Sequence, residues 1–410
     1  MPGCRRVLRI GWPSASDDMK RFLPLAIVLL AAADLFAVRH AVFETDVYNR
    51  AFPLERKDTL AFSPVSAEID CVLAAESLET IPRANVAESM GVLVEFSGVY
   101  MPVIERLAVR TNGFSFVTAR GFCLPDTTRC RADYCQQIQR DYGAAVMPLM
   151  PVKGVESWFR ASMDGEMEDF SVSVNVGTSG RYSFYDLVSV RAEWLEPFPT
   201  SNVRRLKFAA ADGKSVQLDF MSDVRVADSW DEHDYAVLKL PLRDGCFFYA
   251  LLPNEGVDLA LVREDFSSME IESFLTRTGE SPIGNFHREP TVIALPRLSI
   301  DCRTDMTSAL QSFRLPTSSL NRLCNGIAAR EFVQRVVFRL TECGSGETCG
   351  EKPLDRQIAV KDATRRMILN RPFLFFVFDG KTKTIPVAGQ FTGVATGTKV
   401  EVDKKKDKKS

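Results

Sequence analysis

The sequence predicts an α+β fold in which a long polar loop connects two core strands. Glu331–Thr341 alternates with β-branched and aromatic residues, and Phe373–Phe378 is a continuous apolar run of buried-strand length. The thirty or so residues between them, 342–371, contain hardly an apolar run. Connections of this length inside compact domains are uncommon and are often functional. We therefore expect the activity to lie in this loop.

The composition predicts one globular domain. The chain has 410 residues, of which 46% are hydrophobic and 25% charged, enough for a sizeable core. Length alone would suggest two or three domains, but no linker divides the chain, so we assign a single domain to residues 38–395. The net charge of −2 gives no general case for nucleic acid binding. The basic segment 396–410 is expected to be a disordered tail.

The N-terminal residues have the pattern of a secretory signal. Met19–Arg21 supplies the positive charge, Phe22–Ala33 the apolar run, and Ala31–Ala33 a small-residue cleavage site. We assign residues 1–37 to a signal peptide and favour Met19 as the true start over a long charged leader; an uncleaved membrane anchor is the alternative. The apolar run is too short to span a bilayer. The mature chain is expected to be secreted, extracellular or periplasmic, as a monomer without stable membrane insertion.

Export permits disulfide bonds. Of ten cysteines, Cys4 precedes the apolar run and nine remain, an odd number, so at least one is free or pairs between chains. The pairing cannot be derived from the sequence. The local candidates are Cys123 with Cys130 or Cys135, Cys302 with Cys324, and Cys343 with Cys349.

Helices and strands alternate along the rest of the chain. Residues 35–52 favour an amphipathic helix, and Thr59–Ser66 favours a short buried strand that turns into a second helix capped by Ser66. Residues 113–122 could form a strand, and the segments 208–221, 236–253 and 291–300 could each contain generic strands.

The sequence contains no motif typical of a catalytic, metal or cofactor site. The three histidines, His40, His233 and His287, are not at metal-ligand spacing. Gly213-Lys214-Ser215 lacks the leading glycine of a phosphate loop, because Phe208 stands in its place. We predict a protein that is not an enzyme and that needs no metal and no cofactor.

Three motifs together resemble one family. Asn370–Phe376 with Val387-Ala388-Gly389 is similar to the C-terminal signature and closing hairpin of the serpins. Val333–Glu342 followed by Gly344-Ser345 is similar, without gaps, to the strand and hinge that precede a serpin reactive loop. Phe62–Ser66 resembles the serpin motif beneath the sheet into which that loop inserts. The resemblance implies a serpin fold: a central, mostly antiparallel β-sheet, two further sheets, about eight to nine helices and an exposed reactive loop. It also implies a helix running into an edge strand at 134–146, a helix and turn at 158–170, a long central strand at 185–198, and hairpins at 208–221 and 236–253.

The resemblance also implies a mechanism and a partner. A secreted or extracellular serine protease cleaves the loop, remains attached as an acyl-enzyme, and is carried along as the loop inserts as a new central strand. The implied hinge residues are Glu342, Gly344, Ser345, Glu347 and Cys349. The candidate scissile-bond residues are Arg356, Ile358 and Lys361. The implied sheet-opening cluster is Ser63, Pro64, Ser66, Ser189 and Gln334, with Ser189 where the family usually has Asn and Gln334 where it usually has His.

The loop composition opposes insertion. In the ungapped register the inward-facing series is Ser345, Glu347, Cys349, Glu351 and Pro353. A buried carboxylate costs several kcal/mol or must be protonated, and proline cannot donate to a central ladder. A shift of one residue removes the glutamates from this face but places Lys352 there. The alternative function is therefore a non-inhibitory serpin-fold binding or scaffold protein whose loop is cleaved without inserting.

The two loop cysteines suggest a further hypothesis. In an extended strand the Cα atoms of Cys343 and Cys349 would lie ~20 Å apart, whereas a disulfide requires less than ~7 Å. A bond between them would block insertion and make the loop sensitive to redox conditions. Two unpaired or separately paired thiols are the alternative.

Overall fold

The computed structural model of the protein describes residues 56–90, 96–111, 113–167, 169–171, 181–268, 285–312, 315, 320–344 and 359–395. The predicted signal peptide 1–37, the predicted helix 35–52 and the predicted tail 396–410 lie outside these residues. Within them the predicted α+β fold class is confirmed.

Seven α-helices lie in the described part of the chain. They are α1 (Pro64–Glu76), α2 (Thr80–Met90), α3 (Phe96–Ala108), α4 (Ala132–Tyr142), α5 (Val152–Ser162), α6 (Leu259–Ser268) and α7 (Thr307–Ser312). Every residue of α1 is buried. Its N-cap is Ser63, three residues before the predicted cap Ser66, because Pro64 takes the first helical position, where its missing N–H is no loss.

The smaller of two sheets has five strands in the order β10-β11-β4-β2-β3. These strands are β2 (Phe114–Leu124), β3 (Ala144–Pro148), β4 (Arg181–Ala192), β10 (Leu298–Asp305) and β11 (Ala328–Leu340). Strands β4 and β11 are direct neighbours and parallel, from Arg181 opposite Ala328 to Arg191 opposite Arg339. Strands β2 and β3 are also parallel, and the other two pairings are antiparallel.

The larger sheet has nine strands in the order β1-β14-β13-β8-β7-β6-β9-β12, with β5 beside β6. They are β1 (Leu60–Phe62), β5 (Arg204–Ala209), β6 (Ser215–Asp231), β7 (Tyr235–Pro241), β8 (Cys246–Pro253), β9 (Asn285–Pro296), β12 (Arg365–Ile368), β13 (Phe373–Asp379) and β14 (Thr384–Phe391). The 17-residue β6 pairs with β5 near one end and with β7 near the other. The two further sheets of the expected fold are therefore hydrogen-bonded into one.

The main core lies between the two sheets, around α1. One face of the smaller sheet contributes Phe184 and Val188 to this core, together with Phe375 and Val387 of the larger sheet. The opposite face of the smaller sheet is covered by α5, where Phe159 packs against Tyr185. None of the helices in the described residues combines the length and apolar character needed to cross a bilayer.

Candidate functional site

The candidate site follows the boundary between β4 and β11, where the polar loop begins. The chain leaves β11 at Leu340 and turns at Thr341–Gly344. Residues 345–358 lie outside the described residues, so the structure does not place Ser345, Glu347, Cys349, Arg356 or Ile358. Lys361 is exposed in a short 3-10 turn, Val360–Asp362, which precedes β12.

Side chains and backbone groups fasten the start of the loop to the end of β4. The indole Nε1 of Trp194 donates to the carbonyl of Thr341 at 2.7 Å, and the amide of Phe198 donates to the carbonyl of Glu342 at 2.9 Å. Arg297 donates from Nε and Nη2 to the two carboxylate oxygens of Glu342, at 2.8 and 2.6 Å. Although partial burial favours the protonated acid, the hydrogen bonds from Arg297 lower the pKa of Glu342. The first hinge residue is thus held as a charged group beside the boundary.

Gly344 closes this turn because no larger residue would fit. Its φ is +81°, in the left-handed region. A Cβ built on it would lie 2.3 Å from the carbonyl oxygen of Ala192 and 2.5 Å from the Cα of Glu193. Its amide donates to the carbonyl of Thr341 at 2.9 Å. The loop therefore starts by folding tightly back against the end of β4.

A buried hydrogen-bond cluster crosses the middle of the boundary. Gln334 of β11 lies directly opposite Asp186 of β4 and donates from Nε2 to Asp186 Oδ2 at 2.9 Å and to the carbonyl of Ser63 at 3.1 Å. The amide of Ser63 donates back to Gln334 Oε1 at 2.8 Å. The structure thus brings Ser63 and Gln334 together and links β11, β4 and α1 through a single amide side chain.

An arginine and two carboxylates extend this cluster toward α1. Arg120 of β2 donates from Nη2 to Ser66 Oγ at 2.7 Å, and its Nε lies 3.4 Å from Asp70 Oδ1 and 3.8 Å from Asp186 Oδ1. All three ionisable side chains are at most 5% exposed. Burial, and then the neighbouring Asp186, raise the pKa of Asp70 well above its usual range against the opposing effect of Arg120. One guanidinium therefore faces two carboxyl groups in a dry site.

Ser189 lies apart from Gln334, Asp186 and Ser63. Its hydroxyl donates to Glu166 Oε2 at 3.0 Å, on the α5 side of the sheet. Successive side chains of a strand alternate between faces, so residues 186 and 189 point to opposite faces. The residue that faces Gln334 is Asp186, which sequence reasoning missed. Pro64 and Ser66 lie at the start of α1, beneath the boundary.

The predicted local disulfides are not formed among the described cysteines. Cys71, Cys123, Cys130, Cys135, Cys246, Cys302 and Cys324 are free thiols. This rules out Cys123 with Cys130 or Cys135, and Cys302 with Cys324, in the structure. Cys123 lies in the small core under α5, and Cys302 contacts Thr304. Cys343 is buried and disulfide-bonded; its predicted partner Cys349 lies outside the described residues.

The arrangement is suited to opening and closing a sheet. No group of three or more potential metal ligands occurs in the part of the chain that the structure describes. The hydrogen bonds of Gln334 with Asp186 and Ser63 cross the boundary, and the ring of Phe332 also contacts the rings of Tyr182 and Phe184. Hydrogen bonds of this kind can be exchanged for those of an added strand.

Comparisons with known proteins agree with this geometry. A family model described as Serpin (serine protease inhibitor) matches residues 39–393. Human serpin I2 is 20% identical over 383 residues, covering 88% of this chain and 92% of that protein. The solved structure of Serpin48 from the insect Tenebrio molitor is 19% identical with a TM-score of 0.72, covering 87% of this chain and 97% of the other. Human thyroxine-binding globulin, solved with thyroxine, is 15% identical with a TM-score of 0.76, covering 88% and 98%.

Proposed function

The chain belongs to the serpin family, and on that premise we propose that it inhibits a serine-type protease by cleavage and insertion of the loop at 342–371. The target is a secreted or extracellular enzyme. The chain itself acts as a suicide substrate and turns over no substrate of its own.

The observation that carries this proposal is the direct parallel pairing of β4 and β11. The loop turns back at Gly344, so a strand that entered the boundary from this end would run antiparallel to both neighbours. One parallel ladder would be replaced by two antiparallel ladders, which are slightly more stable per residue. A gain of about ten hydrogen bonds at ~0.5–1.5 kcal/mol each supplies on the order of 10 kcal/mol. That free energy is available only after the loop is cut.

The contacts at the loop end support the same mechanism. Insertion must release the hydrogen bonds from Trp194 to Thr341 and from Phe198 to Glu342, and must break the pair between Glu342 and Arg297. Each such bond contributes ~1 kcal/mol net. Together they hold the uncut hinge in place and are weak enough to be overcome by the gain from a new strand.

The cluster in the middle of the boundary supplies a second barrier. The bonds from Gln334 to Asp186 and Ser63 tie β11 to β4 and α1, and they must break when the strands separate. Because these groups are buried, losing a partner costs more than the bond itself contributes. The sheet is therefore expected to open slowly, from the loop end.

The loop composition favours a second candidate function. Glu347, Glu351 and Pro353 fall on the face that insertion would bury. Each carboxylate costs several kcal/mol when buried without a partner, which together could cancel the gain from the new ladders. In this case the chain is a non-inhibitory serpin-fold binding or scaffold protein, and its loop is cleaved without inserting.

The decisive experiment is a search for a covalent complex. The mature protein is incubated with trypsin-like, elastase-like and subtilisin-like serine proteases, and the products are separated in SDS. We expect at least one enzyme to give a detergent-stable complex of the summed mass. The control variant Ser345→Arg places a charge on the inserting face and should be cleaved without forming the complex. Cleavage by every class with no complex from the wild type refutes the inhibitor and supports the second candidate.

We also propose that the partner of Cys343 is Cys349. Seven of the other cysteines are free thiols, and Cys4 lies in the predicted leader, which export removes. An extended strand would separate the two Cα atoms by ~20 Å, beyond the reach of a disulfide, so the bond would hold the hinge out of the sheet. Peptide mapping without reductant should recover the 343–349 link; a linear peptide over these residues would contradict the proposal.

The remaining assignments are proposed from the sequence pattern. We propose that residues 1–37 are a signal peptide with Met19 as the start, that 38–395 form one domain, and that 396–410 are a basic tail. The mature protein is proposed to be a secreted monomer. N-terminal sequencing of the exported protein and its sedimentation in solution test these assignments.

A further inference from the structure

Three thiols meet at the end of the β4–β11 boundary that is farthest from the loop. Cys130 and Cys324 lie directly opposite each other in an isolated antiparallel bridge, and the amide of Arg131 donates to the carbonyl of Leu323 at 3.0 Å. The Cα atoms of directly opposed residues in such pairs are ~4.5–5.5 Å apart, inside the range of ~4.4–6.8 Å that disulfides use. The thiol of Cys130 contacts that of Cys324.

The third thiol belongs to Cys135, in the first turn of α4. It contacts the thiol of Cys130, and its amide donates to the carbonyl of Arg131 at 2.9 Å. All three cysteines are free in the structure. Cys130 and Cys135 are half-buried, whereas Cys324 is 1% exposed. A reagent can thus reach one member of the opposed pair, and the neighbouring thiol, from solvent.

The two opposed cysteines belong to different sides of the boundary. Cys130 lies in the connection from β2 to α4, and α4 leads into β3, so it follows the strands beside β4. Cys324 lies shortly before β11. Its segment is also fixed to the end of α1, because Arg322 donates from its amide to the carbonyl of Ser77 at 3.0 Å and from Nη1 to the carbonyl of Glu76 at 2.8 Å.

We propose that Cys130 and Cys324 form a disulfide that fastens the two sides of the β4–β11 boundary together, and that Cys135 is the thiol that reopens it by exchange. In the exchange the Cys135 thiolate attacks the sulfur of Cys130, a 130–135 disulfide forms, and Cys324 leaves as a thiolate and is protonated. Two glutathione thiols then reduce the 130–135 disulfide and leave as one glutathione disulfide. The bond itself is independent of the proposed function. Its consequence for loop insertion rests on that function.

The oxidation balances with a small disulfide such as oxidised glutathione. The Cys130 thiolate attacks one glutathione sulfur, releasing one glutathione thiolate and leaving a mixed disulfide. The Cys324 thiolate then attacks the sulfur of Cys130 and releases the second glutathione, so two protein thiols are oxidised and one glutathione disulfide is reduced. Burial and contact with Cys324 raise the pKa of the Cys130 thiol, so little thiolate is present at neutral pH. Formation should therefore accelerate as the pH rises.

The disulfide would oppose complete insertion of the loop. A new strand between β4 and β11 separates them by one further strand spacing of ~4.8 Å. If the two cysteine segments move with their strands, their Cα atoms would end ~10 Å apart, beyond the ~7 Å that a disulfide tolerates. Oxidised protein should insert only the part of the loop nearest the hinge.

The first test detects the disulfide itself, independently of loop insertion. The Cys343→Ser variant, which removes the proposed hinge disulfide, is treated with oxidised glutathione at pH 8, alkylated and digested. Mass spectrometry should find a 130–324 link, and adding Cys135→Ser should leave that link intact while slowing its reduction by glutathione. If oxidation of the Cys343→Ser variant gives no 130–324 link, whether or not a 130–135 link is found, the proposal is overturned. Unchanged reduction in the Cys135→Ser variant overturns the exchange step.

The second test measures the effect of the disulfide on loop insertion. The same Cys343→Ser protein is cleaved in the loop, and its melting temperature is compared in reduced and oxidised forms. The reduced form should gain the full stability on cleavage and the oxidised form only a smaller part of it, whereas a matched Cys324→Ser protein should gain equally under both conditions. Equal gains in both forms overturn the fastening. If cleavage stabilises neither form, the proposed insertion of the loop fails. Hydrogen exchange of the β4 and β11 amides then tests the fastening by itself: slower exchange in the oxidised protein supports it, and unchanged exchange overturns it.

Discussion

Cleavage of the loop should stabilise the protein if the cut segment becomes a strand. About ten added hydrogen bonds give on the order of 10 kcal/mol. Unfolding entropy of ~2.1 cal/mol/K per residue over the roughly 350 residues of the proposed domain is ~0.7 kcal/mol/K, so the melting temperature should rise by roughly 14 °C if no penalty applies. Burial of the loop glutamates, at several kcal/mol each, lowers this to roughly 5 °C. The Glu347→Ala variant should recover much of the difference.

The assay is thermal unfolding followed by circular dichroism, before and after limited cleavage near Lys361, with reductant present throughout. Lys361 is exposed in its turn and is open to trypsin-like enzymes. Uncleaved Glu347→Ala serves as the control, because its melting temperature should match that of the uncleaved wild type. If neither cleaved protein melts higher than its uncleaved form, the strand-insertion reasoning is refuted. If only cleaved Glu347→Ala melts higher, the wild type is the non-inhibitory candidate.

Three further predictions concern the boundary. Asp186→Asn keeps an oxygen that can accept from Gln334 but removes one of the two carboxylates beside Arg120. Since the pKa of Asp70 is raised in the folded protein, stability is lost as the pH rises above the usual Asp pKa of 3.8. The resulting fall in melting temperature between pH 4 and 8 should be smaller in the variant. Arg297→Met should cost up to ~1 kcal/mol at pH 7, and since the folded pKa of Glu342 is lowered, the difference from wild type should vanish as pH falls below 4.5 in the same assay. Gly344→Ala should cost ~1–3 kcal/mol in the uncleaved protein, through its positive φ and the clash with β4, and nothing after cleavage, when the residue is extended.

The sequence predicted the strands and helices that carry strong local patterns. The alternation of Glu331–Thr341 and the apolar run Phe373–Phe378 match β11 and β13 within a few residues. The strand and helix predicted around Thr59–Ser66 are β1 and α1. The predicted long strand at 185–198 starts and ends earlier, as β4, because the pairing of β4 ends at Ala192 and Trp194 instead forms a bridge to Leu242. Periodicity locates an element well and its ends poorly.

The cluster under the sheet could be predicted only in part, because face and register are tertiary properties. Asp186 and Ser189 are both polar residues of one strand, and their odd separation places just one of them toward α1. Only the pairing with Gln334 decides which one. Asp70 could have been found, because it lies four residues after Ser66 and hence on the same face of α1. Arg120 carries no such local signal and required the pairing of β2 with β4.

The opposed thiols escaped sequence reasoning for the same reason. Nearness in the chain suggested partners for Cys123 and Cys302. Cys123 instead lies in the small core under α5, and Cys302 contacts Thr304 rather than a thiol. Cys130 and Cys324 are far apart in sequence and meet only because α4 and the segment before β11 converge at one end of the smaller sheet.

The pairing of β1 with β14 has a consequence for how the molecule is made. Leu60 pairs with Gln390, so the first described strand finds its partner only when the chain is almost complete. Contacts of such long sequence separation form late and slowly, while β4 and β11 are both synthesised before the loop has left the ribosome. Strands β4 and β11 can therefore pair first, and β12 to β14 then anchor the far end of the loop in the larger sheet. The order of synthesis, rather than the greater stability of a loop-inserted form, would then determine that the protein folds with its loop outside the smaller sheet.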